Sequence, residues 1–280
     1  MAAFLALFSS ALFGAGDFLG GMASRRTHVF VVVAASHVVG LTLILAVAPF
    51  MADTVTLRDL GIGAAAGLSG VVGIGCLYHC LGRGPMAAVA PVTAVTNAAV
   101  PALWGICFGE RLGVLQVGGV LLGLASIVLV SRTPGSGPDR TPITAGLLGE
   151  ALLAGAGFGG FFILMDMTVE ATTPWPLVSA RVVSAGLALA LLARIGRSPV
   201  PRRDEAGVAI VGAGVLDMTA NLAMVVAVHN GLLSLVAVLS SLYPASTVLL
   251  ARYVLHERMA RIQVVGLAVA LGAIAAIVTG

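Results

Sequence analysis

The residues of this sequence that could do chemistry are ionisable side chains inside otherwise apolar segments. Asp17, Asp166 and Asp217 each lie within or at the end of a long apolar run. Asn221 follows Asp217 by four residues, which places both on the same face of a helix. A charge at the centre of a bilayer costs roughly 2.5–3.5 kcal/mol, so such residues predict a binding site or a proton path. The alternative is a hydrogen bond between neighbouring helices.

Two further polar residues in apolar runs are candidates for the same path. Arg181 could lie at the membrane interface, or its planar guanidinium could pair with an acidic residue or with a substrate carboxylate. Tyr243 directly precedes Pro244 and offers a flat apolar face and one hydroxyl group to a cavity.

Cys76, His79 and Cys80 share one helix face at i, i+3 and i+4, a spacing that could present soft metal ligands. No second cluster completes a four-ligand shell, so no metal and no cofactor is predicted. The sequence also has no nucleophile elbow, phosphate loop or HExxH motif. We therefore predict that the protein is not an enzyme. An intramembrane enzyme that uses Asp166 and Asp217 as a carboxylate pair stays an alternative.

The composition indicates that membrane-spanning helices position these residues. Of the 280 residues 59% are apolar and only 10% are charged, whereas soluble domains carry roughly 25% charged residues. A helix needs about 20 apolar residues to cross the hydrocarbon layer. By that measure the spans fall near 2–24, 28–50, 57–79, 85–108, 113–131, 145–168, 175–195, 205–228, 232–255 and 261–279. We therefore predict an all-α, multi-pass protein of the cell membrane with about ten transmembrane helices.

The sequence also repeats itself. When it is shifted by 147 positions, Glu110-Arg111 aligns with Glu257-Arg258. We predict that these four residues are structural, because they lie at span ends where they can cap helices and set the packing between the two copies. Five spans in each copy force the copies into opposite orientations. Such inverted repeats place a substrate path near the mid-plane of the membrane.

A polar stretch divides the two copies. It is rich in Pro, Gly and charged residues, and we assign it as a linker at 132–144. The first five-helix repeat is then predicted at 1–131 and the second at 145–280.

The chain resembles the EamA-type ten-helix transporters of the drug/metabolite transporter superfamily. The resemblance covers nearly the whole chain and rests on the tetrads at 109–112 and 256–259, each followed by a Gly-rich last span. It also rests on a polar residue near the start of the second span of each half. This residue is His37 in the first half, where the family usually has Arg, and Arg181 in the second.

The resemblance implies export or exchange of amino acids, amines or other small metabolites, commonly with proton coupling. It adds His37 to the predicted substrate or proton pathway, which then comprises Asp217, Asn221, Arg181, Asp17, Asp166, Tyr243 and His37. We predict a secondary transporter that works by alternating access. A multidrug-type cation exporter is the first alternative and an intramembrane enzyme the second. The expected partners are a small-molecule substrate and the lipid bilayer, with a homodimer left open and no nucleic acid.

The orientation of the chain in the membrane has two opposed indications. Positive residues collect in short cytoplasmic loops. The loops after the odd-numbered spans hold Arg25, Arg26, Arg83, Arg132, Arg140, Arg194, Arg197, Arg202, Arg203, Arg258 and Arg261, and those after the even-numbered spans hold Arg58 and Arg111. This distribution predicts that both termini lie outside the cytoplasm. The resemblance implies the reverse.

Overall fold

A computed structural model describes residues 1–52, 54–83, 86–131, 144–198, 205–254 and 261–279. Within these residues the chain forms eleven α-helices, one short 3-10 helix and no strand. The α-helices are α1 (Ala2–Ser24), α2 (Val29–Met51), α3 (Leu57–Arg83), α4 (Met86–Cys107), α5 (Val114–Ser131), α6 (Ala145–Asp166), α7 (Trp175–Arg194), α8 (Glu205–His229), α9 (Leu233–Ser240), α10 (Tyr243–Val254) and α11 (Arg261–Thr279). The 3-10 helix at Glu170–Thr172 lies between α6 and α7. Most of the predicted linker and the pair Glu257-Arg258 lie outside the described residues.

Six of these helices are long and apolar enough to cross a membrane, by length and composition: α1, α2, α3, α6, α7 and α8. Between 33% and 56% of each apolar stretch is buried inside the protein, so much of the apolar surface faces outward. Phe4 and Phe50, for example, are 71% and 89% exposed. Apolar surface of this extent is accommodated by lipid, because water would disfavour it.

The principal helix contacts join the first half of the chain to the second. α1 packs on α8, α2 packs on α7 and α8, and α3 packs on α6 and α7. α4 packs on α6, and α5 packs on α11. Contacts between helices of the same half, such as α1 with α2 or α2 with α3, are much less extensive. Both clusters of buried apolar side chains accordingly contain residues of both halves.

Glycines allow α3 and α7 to approach closely. A Cβ atom at Gly63 would collide with the carbonyl oxygen of Pro176, and one at Gly67 would collide with the backbone of Ala180. Small residues one helical turn apart are a common device for bringing helix backbones together in lipid. The close approach fixes the first two turns of α7, which carry Arg181, against the middle of the bundle.

The predicted ninth span is interrupted, which corrects the prediction of a single helix at 232–255. Two helices, α9 and α10, occupy this region and are separated by a turn at Ser241 and Leu242. The cause is Pro244, which has no backbone N–H and therefore cannot continue the hydrogen-bond ladder of α9. α10 restarts with Pro244 in its first turn, where a missing donor is tolerated.

Four connections between helices meet at one end of the bundle. The hydroxyl of Thr54, between α2 and α3, donates a 2.6 Å hydrogen bond to the carbonyl of Ala171, between α6 and α7. The amide of Asn230, between α8 and α9, donates to the Glu170 carboxylate at 3.2 Å. The α4–α5 connection joins this group through Glu110, which contacts the start of α9. The connections that follow α2, α4, α6 and α8 are therefore neighbours.

Candidate functional site

A cavity lies between the two halves, and its empty space of about 640 Å³ includes the part that is open to solvent. Helices α1, α2, α3 and α4 contribute to its wall from the first half, and α6, α7, α8 and α10 contribute from the second. Six of the seven predicted pathway residues line the cavity, namely Asp17, His37, Arg181, Asp217, Asn221 and Tyr243.

An ion pair between Arg181 and Asp217 joins α7 to α8 in the wall of the cavity. The Arg181 Nη2 atom donates a hydrogen bond to Asp217 Oδ2. The Arg181 side chain is 8% exposed and that of Asp217 is 26% exposed. Asn221 Nδ2 donates to the other carboxylate oxygen of Asp217 at 3.2 Å and to the Asp217 carbonyl at 2.7 Å. Of the alternatives for Arg181, the structure therefore shows an acidic partner on a neighbouring helix.

Two glycines hold this pair close to the first half of the chain. A Cβ atom at Gly40 of α2 would lie 3.7 Å from Arg181 Nε, so α2 passes directly beside the guanidinium. A Cβ atom at Gly16 of α1 would lie 3.5 Å from the backbone nitrogen of Asp217. Because α1 and α8 touch at this level, Asp17 is brought next to Asp217.

Asp17 differs from Asp217 in having no counterion among the described residues. Its side chain faces the cavity and lies close enough to Asp217 for the two negative charges to repel each other. Among the described residues, its carboxylate has no hydrogen-bond donor and no basic residue within ion-pair distance. The Asp17 carboxylate can thus accept a hydrogen bond from a ligand in the cavity.

His37 joins α2 to α7 on the same wall. The ring is 6% exposed, and its Nδ1 atom lies 2.9 Å from Ser184 Oγ. Ser184 follows Arg181 by almost one turn of α7. The contact with Ser184 therefore places His37 of α2 about one turn of α7 away from Arg181. They are also the two polar residues near the start of the second span of each half on which the family resemblance rests.

Sequence reasoning missed two further parts of the wall. Asn97 of α4 is 4% exposed, and its Nδ2 atom donates a 2.9 Å hydrogen bond to Ser241 Oγ. Phe158, Phe161 and Phe162 of α6 also line the cavity. The sequence carried a signal for both. Asn97 is a polar residue in the middle of an apolar run, and the phenylalanines recur at i, i+3 and i+4 on one helix face.

Asp166 is the predicted pathway residue that does not line the cavity. It is the last residue of α6, and the charged group that most affects it is Glu110. The suggested carboxylate pair of Asp166 and Asp217 is therefore not brought together at the cavity. The carboxylate that approaches Asp217 is Asp17, because Gly16 lets α1 lie against α8 at that level.

Glu110 caps the first turn of α9. The backbone N–H of Leu233 donates to Glu110 Oε1 at 2.6 Å, and the backbone N–H and the hydroxyl of Ser234 both donate to Oε2. A helix N-terminus has unpaired N–H groups and a partial positive charge, and a carboxylate satisfies both. Gly105 leaves the space for this carboxylate, since a Cβ atom there would collide with it. The adjacent Arg111 is exposed.

The cysteine-containing face of α3 contacts α6. His79 Nδ1 lies 2.8 Å from Glu150 Oε2, and Cys80 Sγ lies 3.5 Å from the same oxygen. Among the described residues, no group of three or more His, Cys, Asp or Glu side chains is arranged to hold a metal ion. The contact joins the end of α3 to the start of α6, at the end of the bundle away from Glu110.

Comparison with known proteins gives a match to a family profile and a match to a solved structure. The profile of the EamA-like transporter family matches residues 1–132 and again residues 147–279, so each half of the chain matches it separately. A solved structure described only as "Crystal structure of protein" has a TM-score of 0.78 and 20% sequence identity. That match covers 98% of this chain and 95% of the other. No curated protein matches the chain.

Proposed function

The chain belongs to the EamA-like transporter family, and on that premise we propose that it moves small metabolites such as amino acids or amines across the cell membrane. It would work as a secondary transporter that exports or exchanges them by alternating access. The observation that carries the proposal is the cavity between the two halves, where Asp17, Arg181 and Asp217 lie deep inside apolar helices. Charged groups are costly at this depth, so their convergence on a cavity favours a solute path.

We propose ten transmembrane spans in two inverted repeats. Beyond the six long apolar helices, α4, α5, the α9–α10 pair and α11 would supply the other four. The contacts among the connections after α2, α4, α6 and α8 support this arrangement, because alternate connections of a multi-pass chain belong at the same side of the membrane. Five spans in each half would then give the halves opposite orientations.

The interleaved packing supports alternating access. The cavity walls come from both halves, and most helix contacts run between them, so a rocking of one half against the other would change access to the cavity from both sides. A scaffold protein without transport activity would be expected to fill the same space with large apolar side chains.

Proton coupling is part of the proposal. Asp17 carries a carboxylate without a counterion among the described residues, and Asp217 lies beside it. A proton on one of these carboxylates and a substrate in the cavity would then compete for the same negative charge. Such competition couples the movement of the two species in opposite directions.

A multidrug-type cation exporter is the second candidate, and one observation favours it. Asp17 faces the cavity, while the nearest guanidinium of the wall, that of Arg181, is paired with Asp217. An intramembrane enzyme has less support, because Asp166 does not line the cavity that Asp217 lines.

The test is transport by the purified protein in lipid vesicles. A panel of amino acids, amines and organic cations would be offered with and without a pH gradient, and vesicles without protein would serve as the control. We expect saturable flux of at least one panel member that a pH gradient accelerates. Absence of saturable flux for the whole panel, with the protein inserted and monodisperse, would overturn the proposal.

A further inference from the structure

The charges of the cavity do not cancel. Arg181 and Asp217 form a pair whose charges compensate each other, and Asn221 completes the hydrogen bonding of the Asp217 carboxylate. Asp17 remains, and among the described residues it has neither a hydrogen-bond donor nor a cation as partner. The wall described here therefore has one uncompensated negative charge when Asp17 is ionised.

A second, independent group in the wall is also an acceptor without a donor. Asn97 is 4% exposed, and its amide nitrogen is engaged by Ser241, but its Oδ1 atom has no hydrogen-bond partner in the described part of the chain. A buried polar atom without a partner is unfavourable, and a ligand that supplies the missing hydrogen bond gains affinity. The Asp17 carboxylate and Asn97 Oδ1 could thus both accept hydrogen bonds from a ligand.

The rest of the wall is aromatic. Phe13 of α1 and the three phenylalanines of α6 line the cavity together with Tyr243. Aromatic faces attract cations as well as apolar groups, and this attraction strengthens where water is excluded. Such a wall would surround the apolar body of a ligand and would also tolerate a positive charge next to it.

We propose that the cavity binds a monovalent organic cation with an ammonium head group and an apolar body. Asp17 is the counterion of the ammonium group, and Asn97 Oδ1 accepts a hydrogen bond from one of its N–H groups. The inference rests on the proposed transport function and narrows its substrate class to amines. A free carboxylate on the ligand is disfavoured, because Arg181 is already paired and the remaining charge of the wall is negative.

Three probes with the same ring and nearly the same length separate the ligand classes. Phenethylamine is a cation, phenylalanine is a zwitterion and 3-phenylpropanoate is an anion. Their binding to the purified protein in detergent or nanodiscs would be measured by calorimetry. We expect phenethylamine to bind at least about tenfold more tightly than phenylalanine, and 3-phenylpropanoate to bind least, because like charges placed together in a buried site are strongly unfavourable. Equal or tighter binding of the zwitterion or the anion overturns the inference.

Variants test the assignment to Asp17. Asp17→Asn removes the charge and should weaken phenethylamine binding at least about tenfold, whereas Asp17→Glu should retain most of it. Asp166→Asn is the matched control, because Asp166 is also an aspartate within an apolar helix but does not line the cavity, and it should change the affinity less than about twofold. Unchanged affinity in Asp17→Asn overturns the assignment. The comparison of the three probes on the unmodified protein decides the substrate class even where Asp17→Asn fails to fold.

Vesicle flux separates this inference from the proposed function. Saturable flux of phenylalanine or 3-phenylpropanoate without flux of an amine would overturn the inference and leave the transport function in place. Tight binding of phenethylamine without saturable flux of any probe would support the inference and contradict transport. Phenethyltrimethylammonium, which is permanently charged and does not leak through lipid, provides the flux control for the charge contact with Asp17, since it has no N–H group to donate to Asn97.

Discussion

Asp217 is the residue on which the polar contacts of the cavity converge. Its carboxylate accepts hydrogen bonds from Arg181 on α7 and from Asn221 one turn further along α8, and it lies beside Asp17 of α1. A change at this residue would therefore affect three helices at once. Glu110, by comparison, accepts hydrogen bonds from the start of a single helix, α9.

This contrast predicts that Asp217→Asn reduces the transport rate more than Glu110→Gln does. The asparagine would leave the buried guanidinium of Arg181 without a counterion, whereas a glutamine at 110 keeps one oxygen that can accept from the α9 amides. Initial rates in vesicles with equal amounts of inserted protein would measure the difference. Equal losses in the two variants would contradict a role for Asp217 in the solute path.

The Arg181–Asp217 pair also predicts a non-additive effect on stability. Removing one partner of a buried ion pair costs about 3–5 kcal/mol, because the other charge is left uncompensated. The double variant Arg181→Gln, Asp217→Asn should therefore be more stable than the sum of the two single variants implies. Thermal unfolding in detergent measures all four proteins of the cycle. Simple additivity would mean that the two side chains do not interact in the folded state.

Individual site residues were predictable because ionisable groups in apolar runs are rare in this sequence. That argument led to Asp17, Arg181 and Asp217, which the structure places on one cavity. It could not indicate that Arg181 pairs with Asp217, since hydropathy gives the depth of a residue and not its neighbours. It also passed over Asn97, an uncharged residue that the same argument of depth could have included.

At the scale of helices, the close contact of α3 with α7 determines where the site lies. Gly67 is in direct contact with the backbone of Ala180, the residue before Arg181, whereas a Cβ atom at Gly75 of the same helix would have no neighbour within 4 Å.

The positions of helices were predictable from apolar length. The interruption between α9 and α10 was not predicted, although Pro244 provided a signal, because prolines in membrane helices often bend a helix without ending it.

We predict that Gly67→Ala destabilises the protein and that Gly75→Ala does not. At position 67 the added methyl group forces α3 and α7 apart, and overpacking of this kind typically costs about 1–3 kcal/mol. At position 75 the same substitution meets open space. The melting temperatures of the two variants in one detergent would show the difference. Similar melting temperatures would contradict the close approach of the two helices.

At the scale of the whole molecule, the sequence repeat indicated two similar halves, and the family profile matches each half separately. The repeat did not indicate that the helices of one half pack mainly on helices of the other half. Helices α1 to α4 find their main partners among α6 to α8, and glycines of α1, α2 and α3 lie against helices of the other half. Sequence similarity between repeats reports their common fold and leaves their mutual packing undetermined.

Orientation is a property of the whole molecule, and the arginine distribution makes it testable. The pKa of His28, before α2, is lowered by burial and by the nearby Arg197, after α7, and His79, at the end of α3, so the connections after α1, α3 and α7 lie at one end. The excess of arginine at that end predicts that it is cytoplasmic and that the C-terminus lies outside. We expect a C-terminal alkaline phosphatase fusion to be active and a green fluorescent protein fusion to be dark. The opposite pattern would show that the termini are cytoplasmic.

The packing of the two halves on each other has a consequence for biosynthesis. While the ribosome is still making the second half, the helices of the first half lack the surfaces on which α1 to α4 pack. Their glycine-lined grooves and the carboxylate of Asp17 would face lipid or the insertion machinery during this interval. The packing of the first half therefore depends on the completion of α6 to α8.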